Sequence, residues 1–243
     1  MLRKSFPLIA VLTFNLWLWR IFSFNFWIGL MLILVSVFLW FGFDTKSKAT
    51  FYTSICLYIL IFLFQYKNSF VAPLTNLDTN EKLTQEIRLN AYPPFPITLG
   101  EKTIYIPIAN WFEQRKETIS VYKIGKNFSE IIDPNLYFFT NHPREKTGAK
   151  EFEKFSYILL PVFILGLFEI KKRQIKYIFL TISPIILISI IGNNSPIGPF
   201  SLFPFFALII SLGFKKITSS RKFLIFKLIL FLLVFIQTIT YAY

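Results

Sequence analysis

The sequence predicts an all-α polytopic membrane protein of about seven transmembrane helices with one extracytoplasmic α+β insertion. Three observations carry that reading. Hydrophobic residues make up 54% of the 243-residue chain and fall in blocks of about 15 to 23, cut by short basic runs. Mean hydropathy is +0.56. Roughly 20 apolar residues cross about 30 Å of hydrocarbon, whereas a soluble core would show amphipathic stripes instead of solid blocks. The third observation is the placement of charge, which sorts with the blocks.

The blocks are Ser5–Trp19, Ile21–Phe43, Ala49–Gln65, Phe155–Ile170, Tyr177–Ile191, Phe200–Phe214 and Phe223–Tyr243. They divide the chain into N-terminal spans (1–65), a polar segment (66–154) and C-terminal spans (155–243). Ser5–Trp19 is the weakest span, short between Lys4 and Arg20 and interrupted by Asn15; the count falls to six if it does not cross. Tyr177–Ile191 and Phe200–Phe214 are short enough to be re-entrant. Pro161, Pro184 and Pro204 are expected to kink the spans that contain them.

Orientation follows from Lys and Arg. With the N-terminus in the cytoplasm, the inner segments carry thirteen basic residues against one clear acid, Asp44. The outer segments are Arg20 and the 66–154 loop, whose twelve basic and eleven acidic residues nearly cancel. The formal net charge of +13 is thus an orientation signal drawn to anionic headgroups, not a nucleic-acid footprint. The reading is of a protein integral to the cytoplasmic membrane, with its large loop and C-terminus outside. The one cysteine, Cys56, excludes an intrachain disulfide and a multi-Cys zinc site.

An 89-residue structureless loop would be unusual, so 66–154 should fold as a small module. Asp78 with Glu81 three residues on marks a helix start, and Leu83 and Ile87 share one face of that helix. "AYPPFP" stops it. Ile97–Ile108 has β-branched residues on both sides of Gly100-Glu101-Lys102, a hairpin. "ANWFEQRKETISVYKIG" suits an amphipathic helix or strand, with Trp111, Phe112, Arg115 and Lys116 placed for the membrane interface. "NFSEIIDPNLYFF" reads as a short helix, a turn at Asp133-Pro134-Asn135 and an aromatic strand or span cap. "GNNSPIGP", Gly192–Pro199, is a tight turn between spans.

No metal-ligand spacing, Walker A, G-x-S-x-G or G-x-G-x-x-G occurs, so no metal or cofactor is expected. Asp133, His142, Arg144 and Lys146 form the one polar constellation. Its cations could hold a lipid-linked phosphate through His142, Arg144 and Lys146, and Asp133 and Glu130 are the weak candidates for a catalytic acid. The bland reading of the same residues is a charged collar beside a span.

Tyr137-Phe138-Phe139, Arg144, Gly148, and Pro161 with Leu165–Leu167 follow one another in an order that resembles the junction before the C-terminal spans of bacterial polytopic GT-C type glycosyltransferases, of the protein mannosyltransferase and aminoarabinose transferase kind. The resemblance implies sugar transfer from a polyprenyl-phosphate donor at the outer membrane face. That family places its catalytic carboxylates in the first outer loop, which here is essentially Arg20 and has none. The sequence therefore points first to a non-catalytic scaffold or accessory protein of the cell envelope, with the bilayer, a membrane-protein partner and a lipid-linked glycan as its candidate partners. A divergent glycosyltransferase using a polyprenyl-phosphate-linked sugar is the alternative. A small transporter comes third, because the spans hold almost no ionisable residues.

Overall fold

The computed structural model describes residues 2–45, 48–69, 73–92, 94–139, 152–171, 174–192, 195–219 and 232–237. It is mostly helical, with one small two-stranded sheet. Three helices are long and apolar enough to cross a membrane, or four if one bent pair counts as a single span.

That bent pair opens the chain. Helix α1 (Leu2–Thr13) and α2 (Leu16–Phe24) meet at 60°. The break falls inside the expected span Ser5–Trp19, and its cause is Asn15, whose side-chain oxygen accepts from the Leu18 N–H and caps α2. Asn25 does the same for the next helix, accepting from Trp27 and Ile28 N–H before α3 (Phe26–Thr45) begins. The boundaries are thus set by two asparagines and not by Arg20, which sits within α2 and lays its guanidinium 4.1 Å above the Phe152 ring. A charge can remain on a helix where an aromatic face receives it.

Helix α4 (Lys48–Asn68) returns alongside α3. The polar module follows: α5 (Thr79–Ala91), β1 (Phe95–Leu99), β2 (Lys102–Ile106), α6 (Ile108–Glu113), α7 (Lys116–Ile132) and α8 (Asn135–Phe138). Of the two expectations for the aromatic run, a strand or a span cap, the strand does not form: Asn135–Phe138 is the helix α8, with Tyr137 and Phe138 fully buried. A 3-10 turn, Tyr157–Leu159, leads into α9 (Leu160–Phe168), then α10 (Ile175–Ile182), α11 (Pro184–Ile191), a second 3-10 turn (Phe200–Leu202) and α12 (Phe203–Ser219). Residues 232–237 are helical; the rest of the expected span Phe223–Tyr243 lies outside the described residues.

Pro161 and Pro204 stand in the first turn of a helix, where the missing N–H would have had no partner anyway. Pro184 divides the expected span Tyr177–Ile191 into α10 and α11.

Helix α12 is the axis of the bundle: 78% of its apolar window is buried, against α9, α1, α3 and α10. Backbones approach closely where α9 crosses α12. A Cβ built on Gly166 would fall on the Ile209 carbonyl, and one on Gly213 on the Val162 carbonyl.

Side-chain contacts define two ends of the bundle. At one, the Gln174 amide donates to the Phe43 carbonyl, Lys176 lies 4.5 Å from the Phe51 ring centroid, Lys215 lies 5.4 Å from that of Trp40, and Lys216 pairs with Glu169 at 2.7 Å. At the other, the Trp17 indole donates to the Ile197 carbonyl (2.7 Å), the Asn15 amide to the Lys154 carbonyl (2.9 Å), and the Ser201 N–H to the fully buried Gln65 side chain (3.1 Å). The turn that begins at Gly192 belongs to this second end, with Gly192 and Gly198 at positive φ, 84° and 75°. The module joins the bundle here.

Candidate functional site

The module is pinned by one acid. Asp78 and Glu81 form a reciprocal capping box at the start of α5. The Glu81 carboxylate also pairs with Lys126 (2.9 Å) and Lys123 (3.3 Å) on α7. Burial resists its ionisation, but the Asp78 N–H and the two ammonium groups outweigh that and hold the Glu81 carboxyl below its usual value. Burial likewise opposes the charge on Lys126, and Glu81, Glu130 and Asp78 outweigh it, so its pKa is raised. Further along, Arg88 pairs with Glu113 at 3.5 Å and lies over the Tyr122 ring, which ties α5 to α6 and α7.

Helix α7 fixes the module to the bundle. It packs along α11, with the Asn127 amide donating to the Ser189 carbonyl. Asn127 opens the triplet Asn127-Phe128-Ser129, a formal glycosylation match, and its amide is engaged in this bond. The first turns of α7, Lys116 to Lys123, run on past the end of α11. Its last turn lies against Ile182 and Ile185, further down the same pair of helices. The chain then turns at Asp133-Pro134 and comes back: the Asp133 carboxylate accepts from the Asn135 N–H at 2.9 Å, and the Lys154 and Phe155 N–H groups both donate to the Tyr137 carbonyl. The buried Lys154 ammonium donates to the Leu136 carbonyl at 2.7 Å. Trp17 closes this corner, its ring 5.8 Å from Phe155 and 5.7 Å from Phe203.

The α7–α8 corner roofs a half-open cavity of about 180 Å³. Ile131, Tyr137, Phe163, Ile185, Leu202 and Phe206 are among the side chains that line it, and none of the lining residues is charged. The Tyr137 hydroxyl donates to the Ile131 carbonyl at 2.8 Å, so it makes no demand on the cavity.

The module also carries a hairpin of regular register, Phe95↔Ile106, Ile97↔Ile104 and Leu99↔Lys102, turning on Gly100 at φ 65°. Side chains alternate across a strand. Phe95, Ile97, Leu99, Lys102, Ile104 and Ile106 therefore share one face, apolar except for Lys102 beside the turn, and all but the half-buried Ile97 are exposed.

No family model, no curated protein and no solved structure matches this chain. The GT-C resemblance of Asp133–Ile170 rests on its motif residues, of which Arg144 and Gly148 lie outside the described residues.

The residues singled out from sequence do not converge. His142, Arg144 and Lys146 lie outside the described residues. Asp133 is a turn-and-cap residue, and Glu130 is buried on α7 near Lys126. Trp111 and Phe112 are exposed on α6, with the Arg115 guanidinium stacked 3.8 Å over the Trp111 ring, and Lys116 opens α7. Among the described residues no group of three His, Cys, Asp or Glu could hold a metal ion. Sequence reasoning missed the roles of Gln65 and Asn25, uncharged polar residues in or beside apolar runs that a charge count passes over, and counted Lys154 only as loop charge.

Proposed function

We propose that this chain is an integral membrane scaffold of the cell envelope that presents its 66–154 module outside the cytoplasm to a membrane-protein partner. The alternation of helix ends between a lysine-rich end and a module-bearing end supports seven crossings, with the basic end cytoplasmic. The single observation that carries the partner reading is the exposed apolar cluster on one face of the hairpin, Phe95, Leu99, Ile104 and Ile106, which Lys102 borders at the turn. A two-stranded hairpin is marginal in water, and an apolar face with open strand edges needs a cover. The first turns of α7 carry α6 beyond the end of α11, and the hairpin leads directly into α6, so a protein surface suits this face better than hydrocarbon.

The test places a photocrosslinking amino acid at Leu99, Ile104 or Thr103 in cells. Thr103 pairs with Thr98 on the opposite hairpin face. A discrete protein adduct from Leu99 and Ile104 but not Thr103 is expected. Equal adducts from all three, or lipid adducts alone, would overturn the reading.

A further inference from the structure

We propose that the cavity beneath the α7–α8 corner is a binding site for one hydrocarbon chain of a membrane lipid. The inference rests on the membrane-embedded reading and is otherwise independent of the partner.

Three features of the cavity select this occupant. Its volume is about 180 Å³. An apolar cavity of about 150 Å³ lined by Leu, Ile and Phe stays dry and takes up an apolar ligand. The lining here is of the same kind, and its one hydroxyl, on Tyr137, is already spent on the Ile131 carbonyl, so water has nothing to hold. Second, the site is deep. Ile185 lies about one helical turn below Ser189, where Asn127 marks the level of the module, and Ile182 about two turns below. The corner of α7 is thus inserted between helices and does not rest on top of them. Third, the cavity is half-open, and the helices that contribute Ile182 and Ile185 also carry exposed apolar surface, with Phe179 and Ile186 exposed at 71% and 69%. In a bilayer that surface is covered by lipid chains, so a chain reaches the opening without crossing water. A polar or charged ligand would find no partner inside.

The experiment uses the full chain reconstituted in phosphatidylethanolamine–phosphatidylglycerol vesicles containing a phospholipid with a diazirine in its acyl chain. Labelled residues are mapped by mass spectrometry. Adducts are expected at Leu202, which is buried and lines the cavity, as well as at the exposed Phe179 and Ile186. Ile185→Trp, which fills the cavity, should cut the Leu202 adduct at least about tenfold and leave Phe179 and Ile186 unchanged. Phe163→Ala, which enlarges it, should raise the Leu202 adduct. Labelling of Phe179 and Ile186 with none at Leu202, or a Leu202 adduct indifferent to both variants, would overturn the proposal and leave the membrane reading standing. No label at any of the three positions would overturn both.

Discussion

Glu81 does three jobs with one carboxylate: it accepts from the Asp78 N–H, and it balances Lys123 and Lys126 across to α7. Replacing it by Gln keeps a capping acceptor but takes the bridging carboxylate charge away from two half-buried ammonium groups. A charged hydrogen bond of this kind is worth about 1.5–3 kcal/mol. Glu81→Gln is therefore expected to loosen α5 by about that amount, read as faster amide hydrogen exchange in Thr79–Ala91 with the α3 amides unchanged. The pH dependence has a definite sign. The Glu81 pKa is lower in the folded chain than in the unfolded one, so its stabilisation is complete above the ordinary glutamate value of about 4.3 and is lost as pH falls through the folded value. The Lys126 pKa is raised, so its contribution is complete below about 10.4 and is lost only as pH rises past that. The protection of the α5 amides relative to their intrinsic, pH-dependent exchange rate should be flat across neutral pH and fall in acid, and Glu81→Gln should remove most of that acid loss. The capping box is legible in the sequence because Asp78 and Glu81 are near neighbours. The two lysines that give Glu81 its weight are not, since they lie 42 and 45 residues away and only the packing of α5 on α7 brings them together.

At the scale of elements, the crossing of α9 and α12 sets how tightly the bundle closes. Gly166 and Gly213 each face a partner carbonyl with no room for a Cβ. Gly166→Ala and Gly213→Ala should each destabilise the bundle by about 1–3 kcal/mol, the usual cost of overpacking, measured by thermal unfolding in detergent. Gly125, in α7, has open space where a Cβ would stand, with nothing within 4 Å, and Gly125→Ala should stabilise by about 0.5–1 kcal/mol through helix propensity. Opposite signs for one chemical change would locate the close contact; like signs would refute it. Elements are readable where local chemistry decides them. The hairpin follows from β-branched residues around Gly100, and α5 from its cap. A charge misleads where it imitates a boundary. Arg20 has the look of a loop between spans, yet asparagine side chains at 15 and 25 supply the backbone partners that end one helix and start the next, and an arginine on a short helix needs only the Phe152 ring to rest on. The descent of α7 along α11 has no local signature at all: a helix with an apolar stripe reads the same whether it lies on a bundle or enters it.

For the whole molecule, the proposed orientation rests on which end the lysines occupy. Lys176, Lys215 and Lys216 gather at the end where α3 meets α4, while Asn15, Lys154 and the module gather at the other. An anionic inner leaflet attracts basic residues by about 1 kcal/mol each. That bias favours the insertion with the lysine end in the cytoplasm, because the nearly neutral module has little net preference of its own. Cysteine labelling tests the point. With Cys56, exposed on α4, first replaced by Ala, Glu101→Cys at the hairpin turn should react with a membrane-impermeant maleimide applied to intact cells. Lys176→Cys and Lys216→Cys should react only after permeabilisation. The reverse pattern would invert the protein and place the hairpin face among cytoplasmic partners. Reaction of all three in intact cells would mean that the bundle does not separate two compartments, and both the scaffold role and the chain-binding cavity would lose their footing.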